Sequence, residues 1–345
     1  AGYMEQWVYH CTYSGTPQGS GVSPILANIY LSQMDDFAEA LKSSFDKGNC
    51  ETNHAYGRAA SKLFYTRQRN RKNWQNWGKE ERRNALKLQK SAVAKLHEVP
   101  SMTACNQNYK RLFYCRYADD FLIGVIGSQE DALAIKEQFK EFLGKALHLE
   151  MSDEKTKITH GTDKARFLGY DITTSKNSAL MYDKKHQLRK THTGVIKLYA
   201  PRDKWQRKLM EYGALSIRYG EDGKEIWDSK HRGNMVHMMD VEIVSTVNAE
   251  IRGMYNYYSI ANNATVIKNF AFILEYSMYK TFGLKYRKSV YKIQRKFRKN
   301  GIFCVPYNTK AGLKYCEFYH DGFKHKKDTC RFNPDLLPPY VKYDH

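Results

Sequence analysis

The stretch Leu112-Phe-Tyr-Cys-Arg-Tyr-Ala-Asp-Asp-Phe-Leu-Ile-Gly-Val-Ile126 constrains this chain more than any other. Two runs of aromatic and branched apolar residues flank a small polar link, a pattern that predicts two antiparallel strands meeting at a hairpin tip. Adjacent side chains on a flat strand point to opposite faces, so Asp119 and Asp120 would diverge there. At a tight turn both can lean towards one cation. Carboxylates held together repel, and a hard cation with a preference for carboxylate oxygen, such as Mg²⁺, removes that cost. The pair therefore reads either as a Mg²⁺ site for phosphoryl chemistry or as a solvated tip that carries two acids. Asp35 and Asp36 form a second pair, but apolar residues recur around them at helical spacing, and they are expected on an exposed helix face.

Charge decides what kind of partner to look for. Lys and Arg total 56 against 36 acids, a net charge of +20. Such an excess implies a polyanion, nucleic acid before a membrane surface. The 26 tyrosines, 16 phenylalanines and five tryptophans offer stacking surfaces for unpaired bases, although most must serve the core. Seven cysteines, odd in number and without a CxxC pair, fit reduced thiols better than a disulfide framework. Cys304, Cys316, His320, His325 and Cys330 lack the paired spacing of a zinc knuckle. No apolar run reaches the length of a membrane span, and no secretory signal opens the chain. The opening Ala1-Gly-Tyr-Met reads as the interior of a domain, so a portion upstream is expected.

Gly15-Thr16-Pro17-Gln18-Gly19-Ser20-Gly21 is a tight turn, with Ser23 as expected N-cap and Pro24 as first helical residue. Val22, Leu26, Ile29, Tyr30, Met34, Phe37 and Leu41 then keep a 3.6-residue period. Residues from about 43 to 110 interrupt the chain between this helix and the hairpin. Between Lys62 and Lys95 they carry eleven Lys/Arg against two acids, interleaved with Trp74 and Trp77. Arg67, Arg69, Arg71, Lys72, Arg82 and Arg83 form the densest part, an RNA-contacting insertion on one reading and a solvated one on the other. After the hairpin, a Ser128 cap and an apolar face through Ile135, Phe139 and Leu143 predict a covering helix.

Gly15-Thr-Pro-Gln-Gly19 and Arg116-Tyr-Ala-Asp-Asp-Phe121 resemble the reverse transcriptases encoded by group II introns. Ser152-Asp-Glu-Lys-Thr-Lys-Ile158, Phe167-Leu-Gly-Tyr170 and Asn248-Ala-Glu-Ile-Arg-Gly-Met-Tyr-Asn-Tyr-Tyr-Ser259 extend the resemblance, in order, over nearly the whole chain. It implies an α+β right-hand polymerase palm in residues 1–182, and an α-helical thumb/maturase domain in 183–345. By the same resemblance Asp119 and Asp120 hold Mg²⁺. Gly15, Thr16, Pro17, Gln18, Gly19, Tyr117 and Ala118 face template and nucleotide, and Phe167, Leu168, Gly169 and Tyr170 grip the primer. Lys155 is a candidate cation for the departing pyrophosphate, against an ordinary exposed turn lysine. The family's third metal-binding aspartate lies on an earlier strand, so this chain alone is expected not to polymerise.

The implied partners are intron RNA, an RNA template with a DNA primer, deoxynucleotides and target DNA, with no membrane. The implied setting is a bacterial cytoplasmic ribonucleoprotein or an organelle counterpart. An RNA-binding splicing cofactor without polymerase activity is the alternative. Beyond residue 183 the pattern reads as helical and basic. Lys285 to Lys299 holds eight cations and no acid, with Tyr286, Val290, Ile293 and Phe297 on one stripe of a single helix. Lys285, Lys288, Lys292, Arg295 and Lys299 lie on the neighbouring stripe, positioned for phosphates.

Overall fold

Alternating apolar residues on either side of Ala118-Asp119 pair as two antiparallel strands, in register from Arg111↔Ile126 to Tyr117↔Asp120. The computed structural model describes residues 2–11, 21–101, 108–175, 180–182, 188–190, 194–310 and 312–326. The chain opens with strands β1 (Gly2–Glu5) and β2 (Val8–Cys11), followed by helices α1 (Ser23–Phe45), α2 (His54–Asn73) and α3 (Lys79–Glu98). The hairpin is β3 (Arg111–Tyr117) and β4 (Asp120–Ile126), and α4 (Gln129–Ala146) follows it. Next come β5 (Ala165–Phe167), β6 (Tyr170–Thr174), β7 (Leu180–Tyr182), β8 (Leu188–Lys190) and β9 (Ile196–Tyr199). The remainder comprises α5 (Arg202–Glu211), β10 (Leu215–Tyr219), β11 (Glu225–Ser229), α6 (Asp240–Tyr258), α7 (Ile267–Tyr286) and α8 (Val290–Phe297). The last strands are β12 (Arg298–Lys299), β13 (Ile302–Thr309) and β14 (Gly312–Glu317). The result is a mixed α+β architecture whose sheets are small and antiparallel. Two units divide it, residues 1–160 with 176–193, and residues 161–175 with 194–345.

In the first unit one face of the β3–β4 ribbon is apolar, and it packs on α1 and α4. Leu112, Met34, Ala38, Ile135, Phe139 and Leu143 are buried there, with Tyr114, Phe121, Ile123 and Val125 against them. Helix α4 starts as its sequence predicts. The Ser128 hydroxyl accepts from the Asp131 N–H while the Asp131 carboxylate accepts from the Ser128 N–H, the reciprocal cap that satisfies two orphan donors. Helix α1 begins one residue earlier than expected, with Val22 at the N-cap and Pro24 in the first turn. Only its C-terminal half is covered by described residues. Val22, Leu26 and Ile29 of the predicted stripe are 57, 47 and 64 % exposed.

The basic insertion is an ordered helical hairpin, α2 against α3, closed by a neck. Lys47 and Lys110 exchange both backbone hydrogen bonds at 3.0 Å, and the Arg111 guanidinium donates to the carbonyls of Lys47 and Gly48. Gly48 has φ 65°, and a Cβ there would lie 2.1 Å from the Asn108 carbonyl oxygen, so only glycine fits.

The second unit is not purely helical. It contains the sheets β5–β6–β9, β10–β11 and β12–β13–β14 beside its helices. Its core lies between α6 and α7, where Ile243, Val247, Ile251, Phe270, Leu274 and Phe282 are buried. The single helix expected over residues 285–299 is the end of α7, the separate helix α8 and the short strand β12, which takes Lys299 off the helix. Arg287 takes a left-handed conformation (φ 47°), and the Lys288 N–H returns to the Gly283 carbonyl, a C-terminal cap that stops α7. Gly283 permits that close return, since a Cβ there would meet the Lys288 carbonyl oxygen at 2.9 Å. The apolar stripe survives the break. Ile293 and Phe297 are buried, with Tyr286 and Val290 packed against the same core.

Candidate active site

Strand alternation sorts the hairpin into two faces. Leu112, Tyr114 and Arg116 of β3 point to the packed side, while Phe113, Cys115 and Tyr117 lie on the open side, with Phe113 and Tyr117 57 and 67 % exposed. Asp120 opposes Tyr117 in register and shares the open side. Ala118 and Asp119 make the turn, and Ala118 has φ 54°, a left-handed backbone that costs a residue with a Cβ of order 1 kcal/mol. Both aspartates are exposed, and neither is engaged by a cation or hydrogen-bond donor among the described residues. Two uncommitted carboxylates beside each other fit part of a Mg²⁺ donor set. Water and substrate phosphates supply the further oxygens such an ion takes. Among the described residues no group of three or more His, Cys, Asp and Glu converges on a metal position.

The tip is held from behind. Arg116 Nε and Nη2 donate to the two oxygens of Asp35 at 2.8 and 2.6 Å. Its Nη1 donates to the Ala118 carbonyl at 2.8 Å and to Asn28 Oδ1 at 3.2 Å. The Tyr114 hydroxyl donates to Asp35 at 2.9 Å. The Arg116 hydrogen bond, stronger than the opposing desolvation, holds the Asp35 carboxyl below its ordinary range. Burial, and then Asp35 itself, push the Tyr114 phenol upward. Asp35 is thus not the bare helix-face acid that the sequence pattern suggests, whereas Asp36 is exposed. The missed signal is a charged residue in the inward register of β3, which must find a partner.

The other predicted positions divide as follows. Gly15, Thr16, Pro17, Gln18 and Gly19 lie outside the described residues. Lys155 is exposed in the turn after α4, a segment tethered by Asp153, which accepts from Lys140 at 2.6 Å and pairs with Lys136 at 3.2 Å. Phe167, Leu168, Gly169 and Tyr170 belong to the second unit, where Leu168 (φ 47°) and Gly169 (φ 73°) turn β5 into β6. Two tyrosines of α6 cap that turn: Tyr257 donates to the Leu168 carbonyl and Tyr258 to the Gly169 carbonyl. The Tyr170 hydroxyl returns a bond to the Tyr257 carbonyl, and burial pushes the phenols of Tyr170 and Tyr258 up to about 12.

Of the cationic positions, Arg67, Arg69, Arg71, Lys72 and Arg83 are exposed on the α2–α3 hairpin. Arg69 lies 5.8 Å from the centre of the Trp77 ring, and Arg82 is half-buried over Trp74 at 5.5 Å. Arg82 also donates to the Trp74 and Gln75 carbonyls, so its guanidinium closes the hairpin's own turn. Lys288, Lys292 and Arg295 are exposed and unengaged among the described residues. Lys285 is committed to Asp240 (2.8 Å) and the Met238 carbonyl (2.6 Å), and Lys299 stands 3.8 Å over the Tyr315 ring. No helix among the described residues is long and apolar enough to cross a membrane.

Comparison with known proteins matches residues 93–172 to the reverse transcriptase (RNA-dependent DNA polymerase) family and residues 193–344 to the type II intron maturase family. The group II intron-encoded protein LtrA of Lactococcus lactis subsp. cremoris is 35 % identical over 345 residues, covering 99 % of this chain and 55 % of its own length. The putative COX1/OXI3 intron 1 protein of Saccharomyces cerevisiae is 32 % identical over 365 residues, 99 % of this chain and 40 % of that protein. Protein YkfC of Escherichia coli is 29 % identical over 179 residues, covering 51 and 37 % of the two chains. The chain thus spans about half the length, or less, of these curated relatives. Its ordered motifs, its two domain matches and its near-complete alignment to an intron-encoded protein have one meaning: the chain belongs to the family of group II intron-encoded reverse transcriptases/maturases.

Proposed function

We propose that the chain forms the palm and thumb of an RNA-directed DNA polymerase that also binds its intron RNA and assists splicing. One observation carries the polymerase reading: two exposed, uncommitted carboxylates on a hairpin tip whose opposite face is packed and braced. Asp119 and Asp120 would hold Mg²⁺, which when bound activates a primer 3′-hydroxyl and neutralises charge on the leaving pyrophosphate. Tyr117, exposed beside Asp120, offers a flat face to the template–nucleotide pair, and the narrow Ala118 leaves the tip unobstructed. The Leu168–Gly169 turn, its carbonyls capped by Tyr257 and Tyr258, would position a primer backbone. Lys155, exposed and unpaired among the described residues, is available to a phosphate.

A splicing cofactor without polymerase activity is the second reading, favoured by the exposed cations of α2–α3 and α8. Replacement of Asp119 by Asn in the full-length protein separates the two. Synthesis of DNA on an RNA template is expected to vanish, while affinity for intron RNA, which rests on many phosphate contacts, stays within about twofold. Polymerisation at the wild-type rate by that variant would remove the hairpin from the active site.

A further inference from the structure

Arg116 is the charged side chain in the inward register of β3, and its guanidinium is used from both edges. One edge meets both oxygens of Asp35; on the other, Nη1 meets the Ala118 carbonyl inside the turn and Asn28 beside it. Asn28 and Asp35 are seven residues apart on α1, two helical turns, so they present adjacent acceptors on one face. The Arg116 side chain is 11 % exposed, unlike an ordinary surface ion pair, and Tyr114 fixes Asp35 with a further hydrogen bond. The carbonyl it holds belongs to the residue with left-handed backbone that immediately precedes Asp119.

We propose that Arg116 and Asp35 are positioning residues that fix the Ala118 carbonyl, and thereby the placing of the Asp119 and Asp120 carboxylates, from helix α1. The inference rests on the reading of those aspartates as metal ligands. A lysine cannot replace Arg116, because one ammonium does not span a bidentate carboxylate and a carbonyl on the opposite edge. Loss of the brace leaves the ligands present but their orientation unspecified. The cost then falls on metal affinity rather than on RNA affinity.

The test compares Arg116→Lys, Arg116→Gln, Asp35→Asn and Asp119→Asn in the full-length protein. It measures Mn²⁺ affinity by water-proton relaxation, and the Mg²⁺ dependence and maximal rate of primer extension. It also measures amide exchange over residues 112–126, thermal midpoint and RNA affinity. For the three brace variants we expect metal affinity to fall about 10- to 100-fold, as when an outer partner of a metal ligand is removed. Excess Mg²⁺ should restore much of the rate, exchange should accelerate at the tip and not throughout the ribbon, and RNA affinity should hold. Unchanged metal affinity, with rate falling only as the thermal midpoint falls, would make the pair merely structural and overturn the proposal. So would a wild-type profile from Arg116→Lys. If Arg116→Gln does not fold, the nearly isosteric Asp35→Asn decides by the same criteria. Wild-type Mn²⁺ binding and synthesis by Asp119→Asn is a different failure: it removes the metal-site reading, and this inference with it.

Discussion

Replacing Lys288, Lys292 and Arg295 together by Gln tests whether α8 and the link that leads into it form an RNA-binding face. The structure sets both the number and the control. Of five cations read from the sequence as one stripe, Lys285 is held by Asp240 and Lys299 by the Tyr315 ring, which leaves three side chains with no partner among the described residues. Removing one cation from a phosphate lowers the slope of log affinity against log salt by about 0.7 on single strands and 0.9 on duplex, so removing three lowers it by about 2.1 to 2.7. Over a fourfold rise in salt, the fall in affinity then shrinks by roughly 20- to 40-fold. Fluorescence anisotropy with intron RNA across a KCl series reads the slope. A thermal melt confirms folding, which should persist because Val290, Ile293 and Phe297 are untouched and Gln is a good helix former. The control is Lys285→Gln, which breaks an ion pair and a helix-to-loop hydrogen bond and should lower the melting point without moving the slope. An unchanged slope in the folded triple variant would refute the reasoning.

Two further outcomes follow from the ion pairs. Arg232, 8 % exposed, donates both Nη groups to Glu250 at 2.7 and 2.8 Å; Glu250→Gln should cost about 3 kcal/mol in chemical denaturation, the amide oxygen keeping one bond. A loss below about 1 kcal/mol would class the pair with exposed ones. Asp35 and Asp203 are both held below the usual 3.8, chiefly by bonds from Arg116 and Arg166. A carboxylate depressed in the folded state stabilises fully above its unfolded pKa and loses that contribution as pH falls through the lower folded value. Thermal midpoints should therefore hold down to about pH 5 and drop once pH passes below 3.8, less steeply in Asp35→Asn.

The parts of this architecture legible in the sequence are those set by near neighbours. The β3–β4 ribbon follows from alternation around a short polar link, α4 from its cap and apolar period, and the burial of Ile293 and Phe297 from theirs. What escaped depends on distant partners or on single backbone angles. Asp35 looks like a helix-face acid because its cation is 81 positions away. The period from Tyr286 to Phe297 runs straight through the left-handed cap at Arg287, because the Gly283 that allows the close return resembles any helical glycine. Strands β10–β11 are five residues each around Gly220-Glu-Asp-Gly223, a hairpin pattern that a helical reading of everything beyond residue 183 passes over, and β13–β14 lie in the same stretch. Of the candidate site, the aspartates could be named from motif and turn chemistry, but the brace behind them could not.

The neck at Lys47 and Lys110 gives the helical hairpin beyond it a particular kind of freedom. Both ends of the insertion pass through one backbone rung, so the distance between the end of α1 and the start of β3 does not depend on what lies between. Lengthening such a segment costs only the slowly growing entropy of a larger closed loop, about 0.6 kcal/mol per doubling. Helices α2 and α3 can therefore be exchanged as a cassette. Their length and charge can drift, or be replaced by design, while the ribbon that carries Asp119 and Asp120 keeps its seat on α1.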